Sequence, residues 1–105
     1  MKVTFSPGAR AYVAREAAYL RERNRAAGER FRHDIHQFVR ALSQFPSMGQ
    51  EAADLPFRTA RRFVLGDYHI HYEVGPEAIH ILTIHHGRER PPGLPLDDDA
   101  DFEMP

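Results

Sequence analysis

Seven histidines raise the question of metal binding in this 105-residue chain. Six of them form three close pairs, and these are His33 with His36, His69 with His71, and His85 with His86. A zinc site needs three or four ligands that converge on one point, and no His-Glu-x-x-His or similar spacing is present. Adjacent residues of a strand also point to opposite faces. We therefore expect no metal site and no cofactor.

Nucleophilic and nucleotide chemistry have even less support in the sequence. The chain has no Cys, which excludes a thiol nucleophile, a disulfide scaffold and cysteine-ligated zinc. Ser6, Ser43 and Ser47 do not lie in a Gly-x-Ser-x-Gly elbow. Neither a Gly-x-Gly-x-x-Gly motif nor a Walker loop occurs. We expect no catalytic residues of these classes.

Cations in the C-terminal half are the remaining candidates. If the last three predicted strands are neighbours, we expect the start of the first and the end of the last to converge at one end of the sheet. Such a cluster would suit phosphate or a carboxylate-rich partner. The alternative is that Arg61 and Arg62 pair with acidic residues of this chain. The cations are Arg58, Arg61, Arg62, His85, His86, Arg88 and Arg90.

The net charge of −1 hides an uneven distribution. Residues 97–105 contain five acids and no base. Residues 1–96 therefore contain 14 basic and 10 acidic residues, a net charge of +4. Lys2 is the only lysine, and arginine favours bidentate contacts to phosphate or carboxylate. For the charges on the predicted helices we expect a solvated face with i,i+4 ion pairs.

The elements that position these residues follow from hydrophobic spacing. Lys2 to Phe5 alternates as a short strand, and Ser6-Pro7 is typical of a helix start. Apolar residues from 9 to 20 and from 31 to 45 recur with helical spacing, so we predict two helices in an antiparallel hairpin. We expect Asn24 to end the first helix in the left-handed conformation.

Three strands are predicted in the second half, at residues 61–65, 68–74 and 78–86, joined by tight turns. Apolar residues on both faces of the last strand indicate a central position. The order β-α-α-β-β-β predicts an α+β fold, a small antiparallel sheet with the N-terminal helical hairpin packed on one face. No apolar run is long enough for a membrane span and no signal-peptide core is present, so we expect a cytoplasmic protein.

Three sequence blocks together resemble the RelE/ParE toxins of bacterial type II toxin–antitoxin systems. The first is the helical hairpin with Asn24, Arg30-Phe31 and then Leu-x-x-Phe-Pro-x-Met-Gly at residues 42–49. The second, residues 61–74, is similar to the family's arginine-led strand, glycine turn and Ile-x-Tyr strand. The third, residues 79–88, is an isoleucine-rich strand that ends in His-His-Gly-Arg. The resemblance covers about residues 2–90.

The resemblance implies a growth-inhibiting toxin that a small antitoxin neutralises in a hetero-oligomer. ParE-like members inhibit DNA gyrase, whereas RelE-like members cleave mRNA on the ribosome. The near absence of lysine and the lack of a Tyr after the last strand favour the ParE-like branch and a protein that is not an enzyme. An inactive binding protein of the same fold is a further alternative. We expect one toxin domain at residues 1–90 and a flexible tail at 91–105.

Several residues receive expected roles from this assignment. A ribonuclease would use Arg62, His86 and Arg88 as its catalytic set. The exposed face of the helical hairpin with Tyr12 and Tyr19, or else the sheet edge, is expected to bind the antitoxin. The residues expected to bind gyrase, or in the alternative the ribosome, are Arg61, Arg62, His86, Arg88 and Arg90.

Overall fold

The computed structural model describes residues 1–52 and 60–87. Arg58, Arg88, Arg90 and the predicted tail at 91–105 lie outside the described residues. The elements are β1 (Lys2–Phe5), α1 (Pro7–Arg23), α2 (Arg25–Gln44), β2 (Gln50–Glu51), β3 (Ala60–Leu65), β4 (Tyr68–Val74) and β5 (Ala78–His86). The predicted order is confirmed, and β2 is a short addition within the segment predicted to be irregular. Within the described residues, no helix is long and apolar enough to cross a membrane.

Ser6 starts α1 and also ties it to the sheet. Its Oγ accepts a hydrogen bond from the backbone N–H of Ala9 at 3.0 Å, which satisfies one of the donors left open in a first helical turn. The same hydroxyl donates to the carbonyl of Leu82 at 2.8 Å. Pro7 occupies the first helical position, as predicted. The start of the helical hairpin is therefore fixed to β5.

The junction between the helices is tighter than predicted. Asn24 ends α1, as predicted, but its φ of −158° and ψ of 110° are extended, so the left-handed conformation expected there is wrong. Its backbone N–H donates to Leu20 of α1 at 2.7 Å, while its Oδ1 accepts from the N–H of Ala27 in α2 at 3.1 Å. One residue thus closes one helix and caps the next, and an N-cap residue adopts extended backbone geometry.

The sheet has the order β1-β5-β4-β3-β2. The pairings β3–β4 and β4–β5 are antiparallel, as predicted, and β2 pairs with β3 in the same way. β5 is an interior strand, with β1 on one side and β4 on the other. β1 pairs with β5 in parallel, with Val3 opposite Ile79, so the sheet is mixed rather than wholly antiparallel. The chain leaves β1 into a helical hairpin, and a long connection of this kind permits a parallel neighbour.

The two faces of the sheet have different chemistry. The helices cover one face, where Phe38 packs on Phe63 and Phe31 on Tyr68 with ring centroids 5.1 and 4.9 Å apart. Buried apolar side chains of α2, β4 and β5 complete this core, among them Leu42 and Ile70, both 0% exposed. The opposite face, called the outer face below, carries a polar set that consists of Arg62, His69, His71, Thr83 and His85.

Candidate functional site

The strand register separates cations that were expected to lie together. β3 and β5 each run antiparallel to β4 and are therefore parallel to each other. Arg62 lies level with His71, whereas His86 lies level with Tyr68, next to the turn between β3 and β4. The predicted convergence of the start of β3 with the end of β5 is wrong, because two antiparallel pairings place the starts of these strands at the same end.

Arg61 is engaged with the loop that follows α2. Its Nε donates to the carbonyl of Gly49 at 3.0 Å, and its Nη2 donates to the carbonyl of Ser47 at 3.3 Å. Charge-assisted hydrogen bonds to carbonyls are stronger than neutral ones. The guanidinium therefore stabilises the backbone of residues 47–49.

Tyr72 forms hydrogen bonds with the same loop. Its hydroxyl donates to the carbonyl of Pro46 and accepts from the N–H of Gly49, both at 2.8 Å. A Cβ at residue 49 would lie 2.8 Å from that hydroxyl and 2.9 Å from the Arg62 carbonyl, so the close approach requires glycine. The tyrosine of the Ile-x-Tyr block therefore contacts the proline and the glycine of the Phe-Pro-x-Met-Gly block.

Arg62 anchors the polar network of the outer face. Its Nε–H donates to His71 Nε2 at 3.1 Å, and His71 Nδ1 lies 3.0 Å from the hydroxyl of Thr83. Since Nε2 accepts, the neutral ring carries its proton on Nδ1 and donates to Thr83. His71 is only 1% exposed. The contact therefore fixes the tautomer of a buried, uncharged histidine.

Two further histidines pack beside His71. The ring of His85 stacks on His71 with centroids 5.5 Å apart, and the ring of His69 lies 5.3 Å from His85. His85 Nδ1 lies 3.0 Å from the carbonyl of His86 and must donate to it, and its buried Nε2 has no partner within the described residues. Burial, and then the charges of His85, Arg62 and His86, lower the pKa of His69. Within the described residues no three potential ligands form a metal site.

His86 points to the helix-covered side of the sheet. Its ring meets Tyr68 edge-on with centroids 5.4 Å apart, and the Tyr68 hydroxyl donates to Glu16 Oε2 at 2.5 Å. Arg62 and His86, two members of the predicted ribonuclease set, therefore lie on opposite faces of the sheet. The third member, Arg88, lies outside the described residues.

The two tyrosines expected to bind the antitoxin differ in exposure. Tyr12 is half-buried and meets Tyr68 edge-on at 6.4 Å. Tyr19 is 49% exposed, and the guanidinium carbon of Arg23 lies 3.8 Å from the centre of its ring. Cation–π stacking of this kind leaves the outer edge of the ring accessible. Tyr19 is thus the more accessible of the two.

The helical hairpin carries most of the arginine. Eight arginines of α1 and α2 are exposed, against four acidic residues in the same helices, of which Glu16 is occupied by Tyr68. None of the eight forms a salt bridge within the described residues, so the i,i+4 ion pairs expected there are absent from that part of the chain. The eight are Arg10, Arg15, Arg21, Arg23, Arg25, Arg30, Arg32 and Arg40.

A family model and a solved structure both relate this chain to the same kind of protein. Residues 3–91 match the family described as the ParE toxin of the type II toxin–antitoxin system, parDE. Among solved structures, a chain of the chromosomal ParDE toxin–antitoxin system from P. aeruginosa superimposes with a TM-score of 0.68 and 18% identity, covering 82% of this chain and 95% of that one. At that identity the match shows the fold alone. No curated protein matches the sequence.

Proposed function

This chain belongs to the ParE toxin family of type II toxin–antitoxin systems, and we propose that it arrests bacterial growth by poisoning DNA gyrase in the cytoplasm. We further propose that a cognate antitoxin neutralises it in a toxin–antitoxin complex. The family match over residues 3–91 is the observation that carries the proposal. The arrangement of the cations favours gyrase over mRNA cleavage as the target.

The positions of Arg62 and His86 do not suit a ribonuclease. General acid–base cleavage of RNA needs a proton donor, a proton acceptor and a cation at one phosphate. Arg62 is held against His71 on the outer face, whereas His86 packs on Tyr68 on the helix-covered side. One phosphate cannot contact both without a rearrangement of the sheet. This separation supports a toxin that acts by binding.

A pair of assays separates the candidate functions. Purified full-length protein is added to gyrase with relaxed plasmid, and in parallel to a translation reaction that is analysed by primer extension. The proposal predicts loss of supercoiling and intact mRNA. Cleaved mRNA with unaffected gyrase would support the ribonuclease. An absence of both effects, together with normal growth after induction, would leave an inactive binding protein.

We propose that the antitoxin contacts the hairpin around Tyr19. Its ring is half exposed and stacked under Arg23, and a rigid aromatic edge next to a cation suits an amphipathic segment with acidic residues. The competing surface is the sheet edge. β2 pairs with Arg61 and Arg62 of β3, and this pairing does not extend to residues 63–65.

The antitoxin surface is tested with the cognate antitoxin, which is sought as a small protein encoded beside the gene of this chain. Isothermal titration calorimetry compares the full-length toxin with its Tyr19→Glu and Val64→Glu variants. Val64 is 55% exposed on β3, so the second variant places the same charge at the sheet edge. We expect at least tenfold weaker binding for Tyr19→Glu and little change for Val64→Glu. The reverse ranking would assign the antitoxin to the edge.

A further inference from the structure

The two helices approach each other most closely at Gly28. A Cβ at this position would lie 3.0 Å from the N, Cα and Cβ atoms of Arg21, so the helix backbones nearly touch there. Arg21 of α1 is therefore placed directly at the line where α1 meets α2. Any residue on the same side of α2 as Gly28 borders this line as well.

Four exposed arginines follow that line from both helices. Arg25 and Arg32 lie three residues before and four residues after Gly28, so they share its side of α2. Arg10 lies eleven residues, about three turns, before Arg21 and shares its side of α1. We call Arg10, Arg21, Arg25 and Arg32 the seam arginines. All four are exposed.

Among residues 1–52 and 60–87, no bonding partner accounts for the seam arginines. None forms a salt bridge or side-chain hydrogen bond within the described residues, unlike Arg61 and Arg62 of the sheet. Exposed acids such as Glu29 lie on the same helices but form no ion pair with these arginines among the described residues. Like charges that are not held in ion pairs repel each other and therefore favour an anionic ligand. The guanidinium groups are planar forks that match phosphate oxygens in pairs.

We propose that the seam arginines bind the phosphate backbone of duplex DNA. Four cations spread along two helices fit a regularly charged polymer, whereas the stretch from Arg21 to Arg32 exposes few apolar side chains that a folded acidic protein would need as anchors. Backbone contacts of this kind carry no sequence information. The inference deepens the proposed function, because DNA is the substrate of gyrase, but its test does not require gyrase.

The test is the salt dependence of binding to fluorescent duplex DNA, with the full-length chain and two duplexes of unrelated sequence. Four phosphate contacts predict a slope of log K against log salt of about −3.6, the same for both duplexes. Arg25→Ala with Arg32→Ala is expected to reduce the slope to about −1.8 and to weaken binding at least tenfold at about 50 mM salt.

Arg15→Ala with Arg40→Ala is the matched control. Both residues are exposed on the same helices. Around the helix axis, Arg15 lies about a third of a turn from Arg21, and Arg40 lies about a third of a turn from Gly28. The two substitutions remove the same charge as the seam variant. Circular dichroism checks that both double variants are folded.

Equal losses in the seam and control variants would overturn the proposal, because binding would then follow net charge alone. No DNA binding by the parent protein, or binding only to duplex RNA or to a poly-glutamate peptide, would overturn it too. Gyrase that is unaffected by a protein which still binds DNA through the seam would reject the proposed function and leave this inference standing.

Discussion

The helical hairpin and the strands β3 to β5 use arginine in opposite ways. The hairpin has eight exposed arginines with no salt bridge among the described residues, and with four acids its net charge is +4. Residues 60–87 contain two arginines and three acids, and both arginines donate hydrogen bonds to buried or loop groups. The comparison indicates that the cations of the sheet stabilise the fold, whereas those of the hairpin are available to a ligand.

The largest effect is expected where the sheet holds the loop after α2. Tyr72→Ala removes a side chain that is 0% exposed and should lower the free energy of unfolding by about 3–5 kcal/mol. Tyr72→Phe keeps the ring but leaves Pro46 and Gly49 without their hydroxyl partner, at a cost of about 1–3 kcal/mol. Urea unfolding measures both. A Phe variant as stable as the parent would show that the hydroxyl is dispensable.

The next effect sharpens the contrast between the two sets of arginines. Arg61→Ala loses the bonds to Gly49 and Ser47 and should cost about 1–2 kcal/mol of unfolding free energy, since the group is part-exposed. Arg25→Ala, on the exposed hairpin, should change it by less than about 0.5 kcal/mol. Thermal and urea denaturation of the two variants give the comparison. Equal losses would contradict the division of roles.

The outer-face histidines predict a dependence of stability on pH. The pKa of His69 is lowered from 6.5 by burial and then by His85, Arg62 and His86, so below about pH 6.5 the unfolded chain binds more protons than the folded one. Protonation of His69 therefore leaves the free energy of unfolding unchanged above that pH. Below it, the free energy of unfolding falls as the pH decreases toward the folded-state pKa of His69.

Urea midpoints at about pH 7.5 and 5.5 measure this loss. His69→Asn removes the titrating ring and should make the difference between the two midpoints smaller. A difference as large in the variant as in the parent protein would assign the pH dependence to other groups.

The smallest effect concerns the acidic segment at residues 97–105. Its five acids reduce the net charge from +4 to −1, and a net negative charge repels DNA weakly through solvent. Deleting it should strengthen DNA binding a few-fold at low salt and have no effect at high salt. The sequence alone offers a simpler alternative, a solvated terminus without influence on the cations, and unchanged affinity at all salt concentrations would support that alternative.

Periodic features of the sequence predicted the fold well. The spacing of Phe31, Ile35 and Phe38 predicted α2, and the alternation around Ile70 predicted β4, because burial of one face imposes both patterns. Two predictions were wrong: the left-handed conformation of Asn24 and the wholly antiparallel sheet. The one-residue junction between the helices and the parallel pairing of β1 with residues 76 positions away both depend on tertiary contacts.

The candidate site was less accessible to prediction. Cations near the ends of β3 and β5 looked like neighbours, but the register places Arg62 and His86 on opposite faces. Three of the seam arginines, Arg21, Arg25 and Arg32, belong to the charged helix faces predicted from the sequence, whereas Arg10 was not among them. Two features distinguish them: the approach of Gly28 to Arg21, and the absence of ion pairs in the described hairpin. Both depend on how the two helices pack, which residue spacing does not determine.

Poisoning of gyrase by this chain would be seen in the DNA that gyrase leaves cleaved. Supercoiled plasmid is incubated with gyrase and purified full-length protein, and the reaction is stopped with detergent and protease. If the proposal is correct, linear DNA increases with the amount of toxin and is suppressed by the cognate antitoxin. Plasmid without linear product at high micromolar toxin, from a preparation that arrests growth when induced, would contradict it.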